Sequence, residues 1–167
     1  MQTGLELFQA LIANGVIDWG NTSNVFEVYS NLEIQSPYTF SNAANGIFSM
    51  VGNATQSLSM ATAFPGSVIV NNTGTAGNDI IRVDSDSTIN GNLTCTQGEI
   101  AIPDGVTLTV LGDVTVQTGC TLSIEAGGVL ALGGGSTVTV DSGGTLSMLG
   151  SAGSKAKMMS TSTSNAF

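Results

Sequence analysis

Carboxylates are the side chains in this sequence whose type and number could support acid–base or metal chemistry. The chain has 12 acidic residues, 3 basic residues and no histidine, so its net charge is −9. Three acids, Asp79, Asp84 and Asp86, lie close together in sequence. Carboxylate oxygens are ligands that calcium prefers, and paired carboxylates can hydrolyse glycosides when one of them is desolvated. These three residues are therefore the candidate site, and calcium is the candidate ion.

The nine residues 74–82, with sequence GTAGNDIIR, resemble one copy of the calcium-binding nonapeptide of RTX proteins. The matching residues are Gly74, Gly77, Asp79 and Ile81, while Thr75 replaces the second glycine. In that family calcium lies between tandem turns that each contribute half of the ligands. The resemblance implies a calcium ligand at Asp79. The competing interpretation is a Gly-Asn turn that leads into a strand.

The remaining residues argue against catalysis. Asp84 and Asp86 alternate, so in a strand they share one face, which is typical of solvated residues that discourage edge pairing. Neither Cys95 nor Cys120 has a histidine partner, and the two cysteines could form a disulfide or remain buried thiols. We find no phosphate loop and no zinc pattern. The sequence therefore predicts a protein that is not an enzyme and that uses no cofactor other than calcium.

The charge distribution excludes two classes of partner. The basic residues are Arg82, Lys155 and Lys157, so no basic stripe is available to neutralise nucleic-acid phosphates. No run of 18 apolar residues exists, so the sequence predicts no membrane span. The first apolar run contains Glu6 and follows no basic segment, which is not typical of a secretory signal.

The elements that position these residues are short repeated strands. Within residues 99–149, apolar residues occupy alternate positions, with Thr, Ser or Ala between them and glycines between units. From Leu122 onward the spacing is eight residues, through Leu130 and Val138 to Leu146. Alternation predicts strands with one inward face, and glycines permit the positive-φ corners between them. The pattern predicts a β-solenoid with two or three units in each coil.

The N-terminal half has a different pattern. Thr3 and Glu6 form a capping box and Asn14-Gly15 supplies a stop, so residues 3–15 predict a short helix. Residues 16–75 follow no clean period, and most of the aromatic residues lie in residues 1–75. We therefore predict a mainly β fold in three parts. They are a mixed attachment or packing region over 1–75, a parallel β-helix over 76–149 and a flexible polar tail over 150–167.

Pairs of alternating threonines, such as Thr107/Thr109, resemble those of ice-binding β-solenoids. Such proteins need the pairs to stack coil after coil on one flat face. If three units form a coil, Thr107/Thr109 is followed by Val129/Ala131, so we expect no continuous ladder of pairs.

The repeat pattern of residues 99–149 also resembles two families of structural proteins. One is the bactofilins, cytoskeletal β-helices that polymerise end to end. The other is the β-helical virion proteins of phages, which include head fibres, decoration proteins and spike stalks and are usually trimeric. The aromatic-bearing half before residue 75 suits the anchor-plus-stalk plan of the virion proteins.

These resemblances imply a self-assembling structural protein that forms a trimer or a filament. Because a short solenoid has unpaired strand edges at its ends, association with other copies is expected on physical grounds too. The virion resemblance implies capsid or other assembly proteins as partners, and a location in a virion or on an extracellular surface. The alternatives are a cytoplasmic or extracellular filament of the bactofilin type and a carbohydrate-binding adhesin module.

Overall fold

The computed structural model describes residues 16–18, 24–41 and 43–162. Within these ranges eighteen short strands lie in parallel sheets that wind into a solenoid of six coils. The predicted parallel β-solenoid is therefore confirmed. The helix expected over 3–15 lies outside the described residues. In the described ranges the chain forms no helix that could cross a membrane.

Each of the last four coils contributes one strand to each of three faces, and the first two coils contribute strands to faces 1 and 2. Face 1 consists of β2 (Val25–Val28), β5 (Ile47–Met50), β7 (Ser67–Asn71), β10 (Leu93–Gln97), β13 (Val114–Val116) and β16 (Val138–Val140). Face 2 consists of β3 (Leu32–Ile34), β6 (Gln56–Met60), β8 (Ile80–Val83), β11 (Glu99–Ile102), β14 (Thr121–Ile124) and β17 (Thr145–Met148). Face 3 contains β9 (Ser87–Ile89), β12 (Thr107–Val110), β15 (Val129–Leu132) and β18 (Lys157–Ser160).

The first coils complete face 3 differently. β4 (Thr39–Ser41) follows β3 in coil 1 and pairs with β1 (Val16–Asp18), the first described strand. In coil 2 the third position is reduced to a single bridge between Phe64 and Ile89. Coil 1 thus runs from β2 to β4 and coil 2 from β5 to Phe64. Coils 3, 4, 5 and 6 consist of β7–β9, β10–β12, β13–β15 and β16–β18.

The core is built from apolar residues that stack on their counterparts in the neighbouring coils. On face 1 the pairing places the following residues in one column: Phe48, Val68, Leu93, Val114 and Val138. The first four are buried completely or nearly so. Alternate residues of each strand point inward, so every coil adds one apolar layer about 4.8 Å above the last. The core is therefore a continuous apolar cylinder, and in coil 2 it contains the ring contact between Phe48 and Phe64.

Polar side chains tie the corners between face 3 and face 1. The Asp113 N–H donates to Asn92 Oδ1 at 2.9 Å, and the Thr137 N–H donates to Asp113 Oδ1 at 2.8 Å. Thr137 Oγ1 donates to the same carboxylate oxygen at 3.0 Å. These hydrogen bonds from Thr137 lower the pKa of Asp113. At this corner, a side chain of coil 4 thus accepts a backbone N–H of coil 5, and a side chain of coil 5 accepts a backbone N–H of coil 6.

The structure differs from the predicted boundary at residue 75. β7 pairs with β10 on face 1 and β6 pairs with β8 on face 2, so the sheets continue across it. The sequence of coils 1 and 2 shows no clean period, because their corners contain fewer glycines and their inward positions hold larger residues such as Phe48 and Met60. The eight-residue period is therefore obscured in these two coils.

The polar tail predicted over 150–167 also contains a strand. β18 pairs with β15 in register from Val129–Lys157 to Leu132–Ser160. Its apolar residues Met158 and Met159 are adjacent, so the alternation that marks the other strands is missing from the sequence. Pairing with the preceding coil therefore orders a segment whose composition predicts flexibility.

Glycine at a corner matters most where the next coil leaves no room for a side chain. Gly98 has φ 93° and joins β10 to β11. A Cβ there would lie 2.5 Å from the Asp79 carbonyl oxygen. Gly135 has φ 88°, but nothing lies within 4 Å of its Cβ position. A side chain at Gly135 would therefore introduce backbone strain alone, whereas a side chain at Gly98 would introduce both backbone strain and steric overlap.

We expect Gly135→Ala to lower the free energy of unfolding by about 1 kcal/mol, the usual penalty for a side chain in the left-handed region. Gly98→Ala should cost at least about 1 kcal/mol more, because the Cβ also overlaps a backbone atom. Urea unfolding followed by circular dichroism measures both changes. Equal losses for the two variants would contradict the close packing of Gly98 against Asp79.

Candidate functional site

Asp79, the first of the three predicted site residues, closes a turn in front of β8. Its Oδ1 accepts the Gly77 N–H at 3.0 Å, and its carbonyl oxygen accepts the Glu99 N–H from the next coil at 2.9 Å. Within the same turn the Asn78 N–H donates to the Thr75 carbonyl oxygen at 2.7 Å. The segment thus forms the turn leading into a strand that the sequence allowed as the alternative to a calcium loop.

Asp84 and Asp86 lie beyond the opposite end of β8. Asp86 Oδ1 accepts the Thr107 N–H of the next coil at 2.7 Å. Asp84 Oδ1 lies 3.8 Å from Nε of Arg82, with both side chains about half exposed. These carboxylates therefore have partners within the solenoid, a backbone donor in one case and a guanidinium in the other.

The structure does not bring the three predicted site residues together. The strand β8 separates Asp79 from Asp84 and Asp86. Across 16–18, 24–41 and 43–162, no group of three or more Cys, Asp or Glu side chains could hold a metal ion. Calcium binding stays a prediction, and the arrangement of these carboxylates gives it no support.

Face 2 carries a charged surface in which the one arginine is fully engaged. Besides contacting Asp84, Arg82 extends across coil 4, and its Nη1 lies 3.3 Å from Glu125 Oε1 in coil 5. The register partner of Arg82 in coil 4 is the small Ala101, which in turn pairs with Ser123 of coil 5. Burial and the carboxylates of Asp79 and Glu125 raise the pKa of Glu99 beside them. Face 2 thus has more carboxylates than cations among its described side chains, and its guanidinium lies near two of those carboxylates.

Cys95 and Cys120 are both free thiols buried in the core. Cys95 Sγ donates a hydrogen bond to the Gly98 carbonyl oxygen at 3.5 Å, and the two cysteine side chains interact with each other. Burial raises the pKa of both thiols, and for Cys95 the contact with Cys120 raises it further. A thiol that stays protonated and shielded is a poor nucleophile. The pair therefore acts as core packing between coils 4 and 5.

The outward threonines do not form a ladder of pairs in the coils where they occur. Thr107 and Thr109 are followed in the register by Val129 and Ala131. Of the two predicted coil sizes, the structure has three units in each coil, and the ladder is interrupted as expected for that size. A column of three single threonines, Thr94, Thr115 and Thr139, runs along face 1.

The end of coil 6 exposes side chains that other coils bury. Val116 is 1% exposed, whereas its register partner Val140 is 40% exposed. Leu130 is fully buried, whereas its partner Met158 is 36% exposed. β16, β17 and β18 also end their sheets, so among the described strands each has a neighbour on one side only. Coil 6 therefore ends in an apolar surface surrounded by three open strand edges.

A cavity of about 420 Å³ lies at the corner of coil 6 between face 2 and face 3. It is lined by Asp104, Gly127, Ala152, Gly153, Ser154, Lys155 and Lys157. The corner spans residues 149–156, whereas the same corner in coils 4 and 5 spans only 103–106 and 125–128. Sequence reasoning missed this site because no motif marks it. The available signal was that both lysines of the chain follow one Gly/Ser-rich stretch.

Comparison of the chain with protein-family models, curated proteins and solved structures finds no match. The contacts described above are therefore the basis for any functional proposal.

Protonated, buried cysteines predict an unreactive pair. In the folded protein at pH 8, Cys95 and Cys120 should react with Ellman's reagent at least about a hundredfold more slowly than after denaturation, because access requires opening of the core. The denatured protein, with two reactive thiols, is the control. Rapid reaction of either thiol in the native protein would contradict the burial of the pair.

The same raised pKa values predict a dependence of stability on pH. Above about pH 8.5 the thiols ionise in the unfolded chain but stay protonated in the folded one, so their contribution to stability falls as pH rises. The Cys95→Ala/Cys120→Ala variant should lose less stability than the wild type between pH 8 and 10. If urea unfolding shows the same loss of stability for both proteins between pH 8 and 10, the raised pKa values are contradicted.

Proposed function

We propose that the protein is a non-enzymatic structural protein that assembles with copies of itself through the open end of coil 6. The observation that carries the proposal is the contrast between equivalent residues in successive coils. Ile124 is fully buried, while its register partner Met148, one coil later, is 45% exposed. Completely burying one such side chain contributes about 1.5–3 kcal/mol. Together with the open edges of β16, β17 and β18, the exposed apolar end favours addition of another strand layer.

The occupant that fits this end is a second copy of the chain. β2 and β3 are the first strands of face 1 and face 2, and each has only one neighbour among the described strands. In a head-to-tail arrangement β2 would add to β16 and β3 to β17, with the parallel pairing that joins consecutive coils. Such a heterologous interface repeats without closing unless its rotation returns to the start. It therefore supports an open filament or fibre.

On face 3, this assembly requires β1 to leave its position beside β4. At the N-terminal end β1 already pairs with β4. If β2 of one copy adds to β16 of another, β18 of the second copy would take the position beside β4 that β1 occupies. β1 has three residues and one described partner, so few interactions hold it in place. In the proposed assembly β18 replaces β1.

The resemblance to β-helical virion proteins supports a place in a virion or surface appendage, with capsid or other assembly proteins as partners. The sheets continue across residue 75 into coils 1 and 2, so the described residues form one solenoid on both sides of that position. That continuity favours the alternative, a bactofilin-like filament in the cytoplasm or outside the cell. Both roles use the same end-to-end contact.

We expect the mass of the wild-type protein to increase with concentration in size-exclusion chromatography with light scattering. Val140→Lys/Met148→Lys places two charges on the open end of coil 6, where burying them is costly. This variant should raise the concentration for half-maximal association at least about tenfold, which corresponds to 1.4 kcal/mol. Negative-stain images of each peak distinguish a discrete trimer from a filament.

The matched control is Thr139→Lys/Ser147→Lys. It adds the same charge to the same two strands, but on side chains that alternate with Val140 and Met148 and point away from the core. It should assemble like the wild type. A wild-type monomer at every concentration would contradict self-assembly. Equal effects of the two double variants would contradict an interface at the end of coil 6.

A further inference from the structure

The two lysines of the chain, Lys155 and Lys157, both line the corner cavity of coil 6. Arg82, the third basic residue, contacts Asp84 and Glu125. Among the described residues, neither Lys155 nor Lys157 has a carboxylate within 4.0 Å of its ammonium group. Both side chains are exposed. In a chain with net charge −9, this is a local concentration of free positive charge.

The corner loop has a defined shape. The Ser151 N–H donates to the Ser154 carbonyl oxygen at 2.7 Å, and the Ser154 N–H donates to Ser151 Oγ at 3.2 Å. Ser154 Oγ also donates to Asp104 Oδ1 at 3.4 Å, which connects coil 6 to coil 4. These contacts hold the loop over the corner of the intervening coil.

Gly127 makes the close approach of these groups possible. It lies at the corner of coil 5, between Asp104 and the loop, with φ 86°. A Cβ at this position would overlap the Asp104 carboxylate and lie 2.6 Å from Ser154 Oγ. Any other residue would therefore fill the space where Asp104 and Ser154 meet. Asp104 and Ser154 therefore contribute polar groups to the cavity lining, and coil 5 contributes no side chain at Gly127.

The lining combines positive and negative groups, which restricts the ligand. Lys155 and Lys157 can bind an anionic group, whereas the Asp104 carboxylate repels anions and accepts hydrogen bonds from hydroxyl donors. A small inorganic anion satisfies only the lysines. A ligand with a carboxylate on one side and hydroxyls on the other satisfies both parts. A volume of about 420 Å³ falls within the range of small-molecule sites.

We propose that this cavity binds a hydroxylated carboxylate of the hexuronate class, either free or as a unit of an acidic polysaccharide. Lys155 and Lys157 bind its carboxylate, and Asp104 accepts hydrogen bonds from its hydroxyls. Such a site adds carbohydrate recognition to a structural protein. It borders the interface at the end of coil 6, because Lys157 is the first residue of β18.

Saturation-transfer difference NMR on the full chain tests the proposal, because it detects weak ligands on proteins of any assembly size. The probes are D-glucuronate, D-glucose, which lacks the carboxylate, and acetate, which lacks the hydroxyls. We expect saturable binding of glucuronate with a Kd of about 1–10 mM. Glucose should give no saturable signal, and acetate should bind several times more weakly. Oligogalacturonate tests the polysaccharide-unit source and should bind at least as tightly as the monomer.

Variants separate the two parts of the site. Lys155→Met and Lys157→Met should each raise the Kd for glucuronate about threefold, the size expected of one exposed ion pair. Arg82→Met, which removes the cation outside the cavity, should leave it unchanged. Asp104→Asn should weaken glucuronate binding but not acetate binding. Asp141→Asn, at an exposed acid on another corner, is its control.

Three results would overturn the proposal. One is a wild-type protein that shows no saturable signal from glucuronate or oligogalacturonate. Another is equal affinity for acetate and glucuronate, which would mean that the hydroxyls have no partner. The third is tighter glucuronate binding after Asp104→Asn, because Asp104 would then act only by repulsion.

Discussion

Register between neighbouring coils is the constraint on which the rest of this structure depends. Every inward residue stacks on a counterpart in the next coil, and a shift by one residue would turn the apolar positions outward. The corner hydrogen bonds reinforce this alignment, since Asp113 and Asn92 each accept a backbone N–H from the following coil. Stability is therefore gained coil by coil, as in other repeat proteins. Coil 6 packs on a described neighbouring coil on one side only, so it gains less of this stabilisation than the inner coils.

The sequence was sufficient to predict the solenoid wherever short strands alternate with glycine corners. Residues 99–149 show both signals, and the pairing of Thr107/Thr109 with Val129/Ala131 follows from the spacing. Coils 1 and 2 could not be recognised in the same way. The large side chains of Phe48 and Phe64 fill the core there, and with fewer glycine corners the period varies. Packing of one coil on the next decides the structure where the local pattern is weak.

For the candidate site, closeness in the sequence did not predict closeness in the structure. Asp79, Asp84 and Asp86 are close in sequence, but each accepts a contact from its own surroundings, and β8 separates the first from the other two. Asp104 and Ser154 are fifty residues apart and meet at a hydrogen bond. A solenoid brings together residues that are one or two coils apart. Proximity along the chain is therefore a poor guide to shared chemistry, unless the coil length is known first.

The stacking of equivalent coils also bears on how such a protein can change over evolution. Val116, Ile124 and Leu130 in coil 5 have the same inward roles as Val140, Met148 and Met158 in coil 6. Duplication or loss of one entire coil would leave the same kind of apolar end and the same strand edges. The length of the rod can therefore change in steps of about 4.8 Å while its terminal surface is retained. Insertions of any other size would have to be accommodated in a corner, as the long loop of coil 6 is.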